Sequence, residues 1–438
     1  MKGLNILNLT YKKNELTGEG IYFKEHESGL KIYIMPRKDY KSSYAIFGTK
    51  YGSVDSEFIV PGEDKVTKVP DGIAHYLEHK MFDQPDGKNV FDSFSKFGGN
   101  ANAFTSFNMT AYLFSATENF EYNLKVLMDY VQKPYFTKES VQKEQGIIGQ
   151  EIRMYDDNAP WRVFFNLLGC LYQNNPVKID IAGTIESISR IDNELLYKCY
   201  NTFYNLSNMT LFVTGDFDEV RVLEVIEESI IKNEPFNEEI KRIYPDEPKE
   251  INSPLKEVNL SVAMPMFMIG FKDNNVGYGG KELQKKAIET EILLKMLFSK
   301  SSPLYEKLYT EGLITPSFSS EYTGEIDYGF TAIEGESKEP KKVYDIIIEH
   351  IDKLRENGLS KEDFERAKKV IWGKYIRSYN DIENFAHSFL TESFKDINYL
   401  DYYDAYKKIT FEDIEKRFKE HFDKNFSALS IVNPVENN

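Results

Sequence analysis

The apolar positions follow two alternating periods. Residues 29–35 (GLKIYIM) and 43–48 (SYAIFG) are short, rich in β-branched and aromatic side chains and bounded by turn residues, which predicts strands. Residues 66–82 lead into a helix after Pro70, Asp71 and Gly72, a start signal. Residues 102–115 read as one strand, and 119–131 carry a helical apolar spacing. A longer helical pattern over 137–154 opens on Thr137-Lys138-Glu139-Ser140. Residues 209–216 (MTLFVTGD) predict a buried strand that ends in a turn.

Residues 233–256 break this rhythm. They are charged, aperiodic and punctuated by Pro235, Pro245, Pro248 and Pro254, which predicts a linker. The chain after it resembles the chain before it. Thr137-Lys138-Glu139-Ser140-Val141 lies opposite Ser360-Lys361-Glu362-Asp363-Phe364, Ile147-Ile148 lies opposite Val370-Ile371, and residues 75–82 match 291–298 more weakly. Order and spacing together favour a duplication: a first domain over 1–232, the linker, and a second domain over 257–438. The length of 438 residues allows two such cores.

Composition narrows the partners. A formal charge of −16 repels the phosphate backbone, so nucleic acid is not an expected partner. The most apolar stretch, 262–271, is about half the roughly 20 residues needed to cross a bilayer, so no membrane segment is expected. Cys170 and Cys199 are too few for a disulfide framework and read as buried free thiols. With no signal-type apolar core in the first residues, a cytoplasmic protein is expected.

The chemistry concentrates in His75-Tyr76-Leu77-Glu78-His79, inside the helix predicted after Gly72. Positions i and i+4 share one helix face, so both imidazoles can hold one cation without bending the backbone, and Glu78 falls on that face. A catalytic zinc keeps three protein ligands and a water whose pKa it lowers toward about 7, and a neighbouring carboxylate can carry the proton. The order H-x-x-E-H is the inverse of the commoner H-E-x-x-H and is a zinc-peptidase signature. A third ligand is required. Glu144 and Glu151, two turns apart on one helix face, are the candidates, one to ligate and one to brace.

With these residues in view, the sequence resembles the pitrilysin-type zinc metallopeptidases, the inverzincins that include insulin-degrading enzyme and the mitochondrial processing peptidase. The likeness covers residues 71–82, 98–106 (GGNANAFTS), 144–155, 183–188 (GTIESI) and 213–216, most of the first half. It implies zinc held by His75, His79 and Glu151, Glu78 as general base, and Glu144 as a catalytic-site carboxylate that supports the ligands. It also implies an α+β fold of two duplicated α/β domains, each a mostly antiparallel sheet covered by helices. The slots opposite His75, His79, Glu144 and Glu151 hold Glu291, Lys295, Ala367 and Lys374, so no second zinc site is expected. By the same likeness, residues 99–106 form the edge strand on which an extended peptide or unfolded polypeptide is laid, with Asn102, Ala103, Phe104 and Thr105 as the substrate contacts.

One stretch departs from the family. Self-sufficient members carry an Arg and a Tyr, in a motif similar to L-R-E-x-G-L-x-Y, that bind and polarise the substrate carbonyl. Here Tyr309 and Thr315 stand in those slots. The loss of such a donor can cost about two to three powers of ten in rate. By the same likeness, short bacterial members of the family often work as heterodimers in which one subunit keeps the zinc motif and its sister keeps the Arg and Tyr. A zinc peptidase acting on peptides or presequences, in a homo- or heterodimer, is therefore expected. The competing expectation is a non-catalytic scaffold subunit.

Overall fold

In the computed structural model, which describes residues 9–14, 17–231 and 234–435, the first sheet has seven strands. Their order is Thr10–Lys13, Gly20–Glu25, Lys31–Pro36, Met209–Gly215, Ser43–Thr49, Thr110–Ala116 and Gly99–Thr105. Every neighbouring pair is antiparallel except Lys31–Pro36 with Met209–Gly215. The second sheet has five strands, ordered Leu255–Leu260, Ser427–Pro434, Met266–Lys272, Gly329–Glu336 and Ser319–Gly324. Its one parallel pair is Leu255–Leu260 with Ser427–Pro434. Taken from that parallel pair outward, the five-strand pattern of the second sheet repeats strands three to seven of the first in order and direction. The fold is α+β, and the duplication is written in its topology.

All seven residues of Ser43–Thr49 and of Met209–Gly215 are buried, so this sheet is covered on both faces. One face carries Phe114, packed on Phe94 and Phe120 from the helices Val90–Lys96 and Phe120–Val131. The other carries Phe212, packed on Phe385 and Phe389 from the helix Ile382–Ser393. That helix lies late in the sequence. The second sheet is completed in the same way from the opposite direction, by the helix Ala159–Leu171. The close approach depends on glycine at matching places. A Cβ on Gly48 would stand 2.7 Å from Leu390 Cδ2, and one on Gly270 would stand 2.8 Å from Leu171 Cδ1. Each glycine pairs across its sheet with an alanine, Ala111 and Ala332 respectively.

The two compact units are consequently discontinuous. One comprises the described residues of Met1–Ile152, Asp180–Tyr244 and Tyr379–Phe394; the other those of Arg153–Ile179, Pro245–Ser378 and Lys395–Asn438. A cut at 233–256 describes the order of the chain but not these units. Nor is that segment a free tether. Lys241–Arg242 pairs with Glu57–Ile59, Arg242 Nε lies 3.1 Å from the buried carboxylate of Asp55, and the Tyr244 hydroxyl donates to the same oxygen at 2.8 Å. Beyond Pro245, the Glu247 carboxylate accepts from the backbone N–H groups of Gln173, Asn174 and Asn175 at 2.9, 2.7 and 2.7 Å.

The single strand expected at 102–115 is a hairpin. The Ser106 N–H donates to the Met109 carbonyl at 2.8 Å and closes a two-residue turn at Phe107 and Asn108. Both cysteines are buried free thiols. Among the described residues no helix is long and apolar enough to cross a membrane.

Candidate metal centre

Gly72 starts the helix Ile73–Lys80 in the left-handed region at φ +88°. A Cβ there would stand 2.4 Å from the Ala182 carbonyl, so only glycine fits. The segment 183–188 seats this turn from outside. Ser187, buried within its own capping box, donates its hydroxyl to the Asp71 carbonyl at 2.8 Å. The helix itself is clamped along the helix Lys138–Asp156: the Tyr76 hydroxyl donates to the Val141 carbonyl and Lys80 Nζ to the Ser140 carbonyl at 3.3 Å.

This clamp brings the sequence candidates together. His75, His79 and Glu151 each offer a ligand atom, all within 4.8 Å of one another; among the described residues this is the one such group found. Glu151 carboxylate oxygens lie 3.7 Å from His75 Nε2 and 3.4 Å from His79 Nε2. Tetrahedral ligands at about 2.1 Å from an ion are about 3.4 Å apart, so two imidazoles and one carboxylate this close make a donor set of the type zinc takes. Glu144 stands beside the triad, with Oε1 3.1 Å from His79 Nδ1. A carboxylate there accepts a hydrogen bond from Nδ1–H, which fixes the tautomer that leaves the Nε2 lone pair facing Glu151.

The electrostatics follow from burial. Desolvation, with the neighbouring His79, pushes His75 down to about 3, which keeps its imidazole neutral and able to donate a lone pair. At His79 burial opposes the charged form, but the Glu144 hydrogen bond and the charges of Glu78, Glu151 and Glu144 outweigh it and raise its proton affinity. Burial raises Glu78 above the ordinary carboxylate range, against the opposing hydrogen bond from Thr105.

Glu78 Oε2 accepts from the Thr105 hydroxyl at 2.8 Å, a contact that sequence reasoning missed because it assigned Thr105 to the peptide strand alone. Among the described residues Gly99–Thr105 is an edge strand, paired with Thr110–Ala116 on one side alone, the arrangement that strand addition uses. Thr105 faces Glu78, Ala103 and Asn102 line a cavity of about 660 Å³ shared with His79, Glu144, Phe82 and Tyr135, and Phe104 stacks on His387 with centroids 4.4 Å apart. His387, given no role from sequence, thus belongs to the first unit.

In the second unit Tyr309 is exposed and stacked on Tyr305, and the Thr315 hydroxyl meets Ser317 at 2.6 Å. Tyr322 donates its hydroxyl to Asp273 at 2.6 Å, inside a buried group that includes Arg417, and Tyr328 is buried. Glu291 and Lys295 lie on the helix Gly280–Phe298, and Ala367 and Lys374 on Lys361–Ser378.

Comparison with known proteins agrees with this arrangement. Residues 65–185 match the family model described as insulinase, peptidase family M16, and residues 190–371 match the peptidase M16 inactive domain. The zinc protease YmfH of Bacillus subtilis, itself uncharacterized, is 44% identical over 92% of this chain and 94% of its own. The structure of an M16-like peptidase from Alicyclobacillus acidocaldarius superposes with a TM-score of 0.90 at 35% identity, over 98% of this chain and 99% of that one. Pitrilysin shares the fold at a TM-score of 0.75 and 14% identity, with 98% of this chain covering 47% of it. With its paired sheets, its inverted histidine motif and a close relative along nearly its whole length, the chain belongs to peptidase family M16.

Proposed function

We propose that the chain is a zinc-dependent metallopeptidase that hydrolyses peptides, leader sequences or presequences bound as an extended strand. The convergence of His75, His79 and Glu151 within 4.8 Å, with Glu78 on the same helix, carries this reading. His75, His79 and Glu151 would hold a zinc ion, which would supply Lewis-acid polarisation and an acidified water there. Glu78 takes the proton of the attacking water and delivers it to the leaving amine. Its raised proton affinity suits a group that must accept and then release. A peptide added along Gly99–Thr105 is held by main-chain bonds, beside Asn102, Ala103, Phe104 and Thr105. Because Thr105 both ends that strand and bonds Glu78, one residue ties peptide register to the position of the base.

With Tyr309 and Thr315 in the family's Arg and Tyr slots, the carbonyl-polarising donor is assigned to a partner subunit. The test is zinc content together with hydrolysis of a quenched peptide, for the chain alone and mixed with its sister. E78Q is expected to retain zinc and lose at least about a hundredfold in turnover. Hydrolysis that survives chelation, or an E78Q variant as active as the wild type, overturns the reading. A zinc-bearing chain inactive in every mixture identifies a scaffold.

A further inference from the structure

Lys80 follows His79 directly, and its side chain is 1% exposed. An ammonium so placed costs several kcal/mol unless oxygens surround it, and here they come from two elements. Lys80 Nζ pairs with Asp83, donates to the Ser140 carbonyl at 3.3 Å and lies 3.9 Å from Glu144 Oε2. The other Glu144 oxygen is the one that meets His79 Nδ1 at 3.1 Å. Ser140 and Glu144 are four apart on one helix, so this single cation grips the face that also carries Glu151 two turns from Glu144. Around the centre stand the carboxylates of Glu78, Glu144 and Glu151, with Asp83 behind them, and Lys80 is the buried cation set among them.

We infer that Lys80 is a positioning residue for the metal centre: its ammonium holds Glu144 against His79 Nδ1 and thereby aims His79 Nε2 at the ion. The same ammonium also ties the two helices together through the Ser140 carbonyl and Asp83, so the positioning role is read from zinc affinity in a folded variant and not from stability alone. The inference rests on the metal reading above and deepens it. Loss of a group that orients a ligand typically weakens metal affinity about 10- to 100-fold.

The test is the zinc dissociation constant, measured by competition with a chromophoric chelator on the full chain, beside the thermal midpoint of the zinc-free form. K80M is expected to weaken zinc about 10- to 100-fold, and K80R to recover most of the loss. K80Q, which keeps a donor but not the charge, serves if K80M does not fold, with the same loss expected. Zinc affinity within about threefold of wild type in a folded, uncharged variant overturns the role of Lys80. A wild-type chain that takes up no zinc overturns the metal reading itself and this inference with it, a result distinct from equal binding by both proteins.

Discussion

Replacing Thr105 by valine removes one hydroxyl from beside Glu78, the proposed general base, and leaves the shape of the side chain unchanged. That hydroxyl lies 2.8 Å from Glu78 Oε2, and Glu78 is only 8% exposed, so water cannot readily take its place. A hydrogen bond to a charged group contributes about 1.5–3 kcal/mol, and each pKa unit corresponds to about 1.4 kcal/mol. The bond favours the ionised carboxylate, so its loss raises the proton affinity of Glu78 by about one to two units. A general base must be ionised in the free enzyme, and the acid limb of kcat/KM therefore moves up by the same amount. Below that limb T105V loses roughly 10- to 100-fold, while the alkaline plateau changes little. The assay is the pH profile of quenched-peptide hydrolysis in the active assembly, with T105S expected to restore the wild-type limb. An acid limb that stays in place or moves to lower pH refutes the argument.

Three further outcomes are expected. Zinc at about 100 times its dissociation constant should stabilise the chain by about 2.7 kcal/mol, seen as a raised thermal midpoint; H75A should abolish the effect and E78Q should keep it. In the second unit, burial and the Arg417 charge push His421 down to about 3, with Nε2 2.7 Å from the Thr331 hydroxyl. The unfolded imidazole binds its proton near pH 6.5, so unfolding takes up a proton between about pH 6.5 and 3 and stability falls as pH falls, by about 1.4 kcal/mol per unit. H421Q should flatten the denaturant-derived slope of the zinc-free protein by that amount, and an unchanged slope contradicts the assignment. L390A, at a fully buried position of the exchanged helix over Gly48, should cost about 2–5 kcal/mol, and a loss below about 1 kcal/mol would mean that the helix does not close that sheet.

The clustering of His75 and His79 was legible because its signal is local: a four-residue spacing puts both on one face whatever surrounds the helix. Pairing them with Glu151 over Glu144 required the family likeness, since the spacing of the two glutamates treats them alike. Strands at 29–35, 43–48 and 209–216 were legible from apolar runs. The turn at Phe107 and Asn108 was not, because a two-residue turn barely interrupts the β-type composition of 102–115. Lys80 reads as an ordinary solvated lysine until Ser140, Glu144 and Asp83 are seen around it. The domain limits were hidden for a different reason. Amphipathicity shows that Ala159–Leu171 and Ile382–Ser393 each have a face to bury, but not which sheet receives it.

The traded helices bear on how such a chain arose. A forerunner of half this length, holding one sheet and one such helix, would leave the face around Ile46, Gly48 and Phe212 bare unless a twin supplied the missing cover. The present chain thus has the architecture of a domain-swapped dimer whose two copies have been fused. Fusion fixes their ratio at one to one. The positions opposite His75, His79 and Glu151 hold Glu291, Lys295 and Lys374, while the second sheet keeps the strand order of the first.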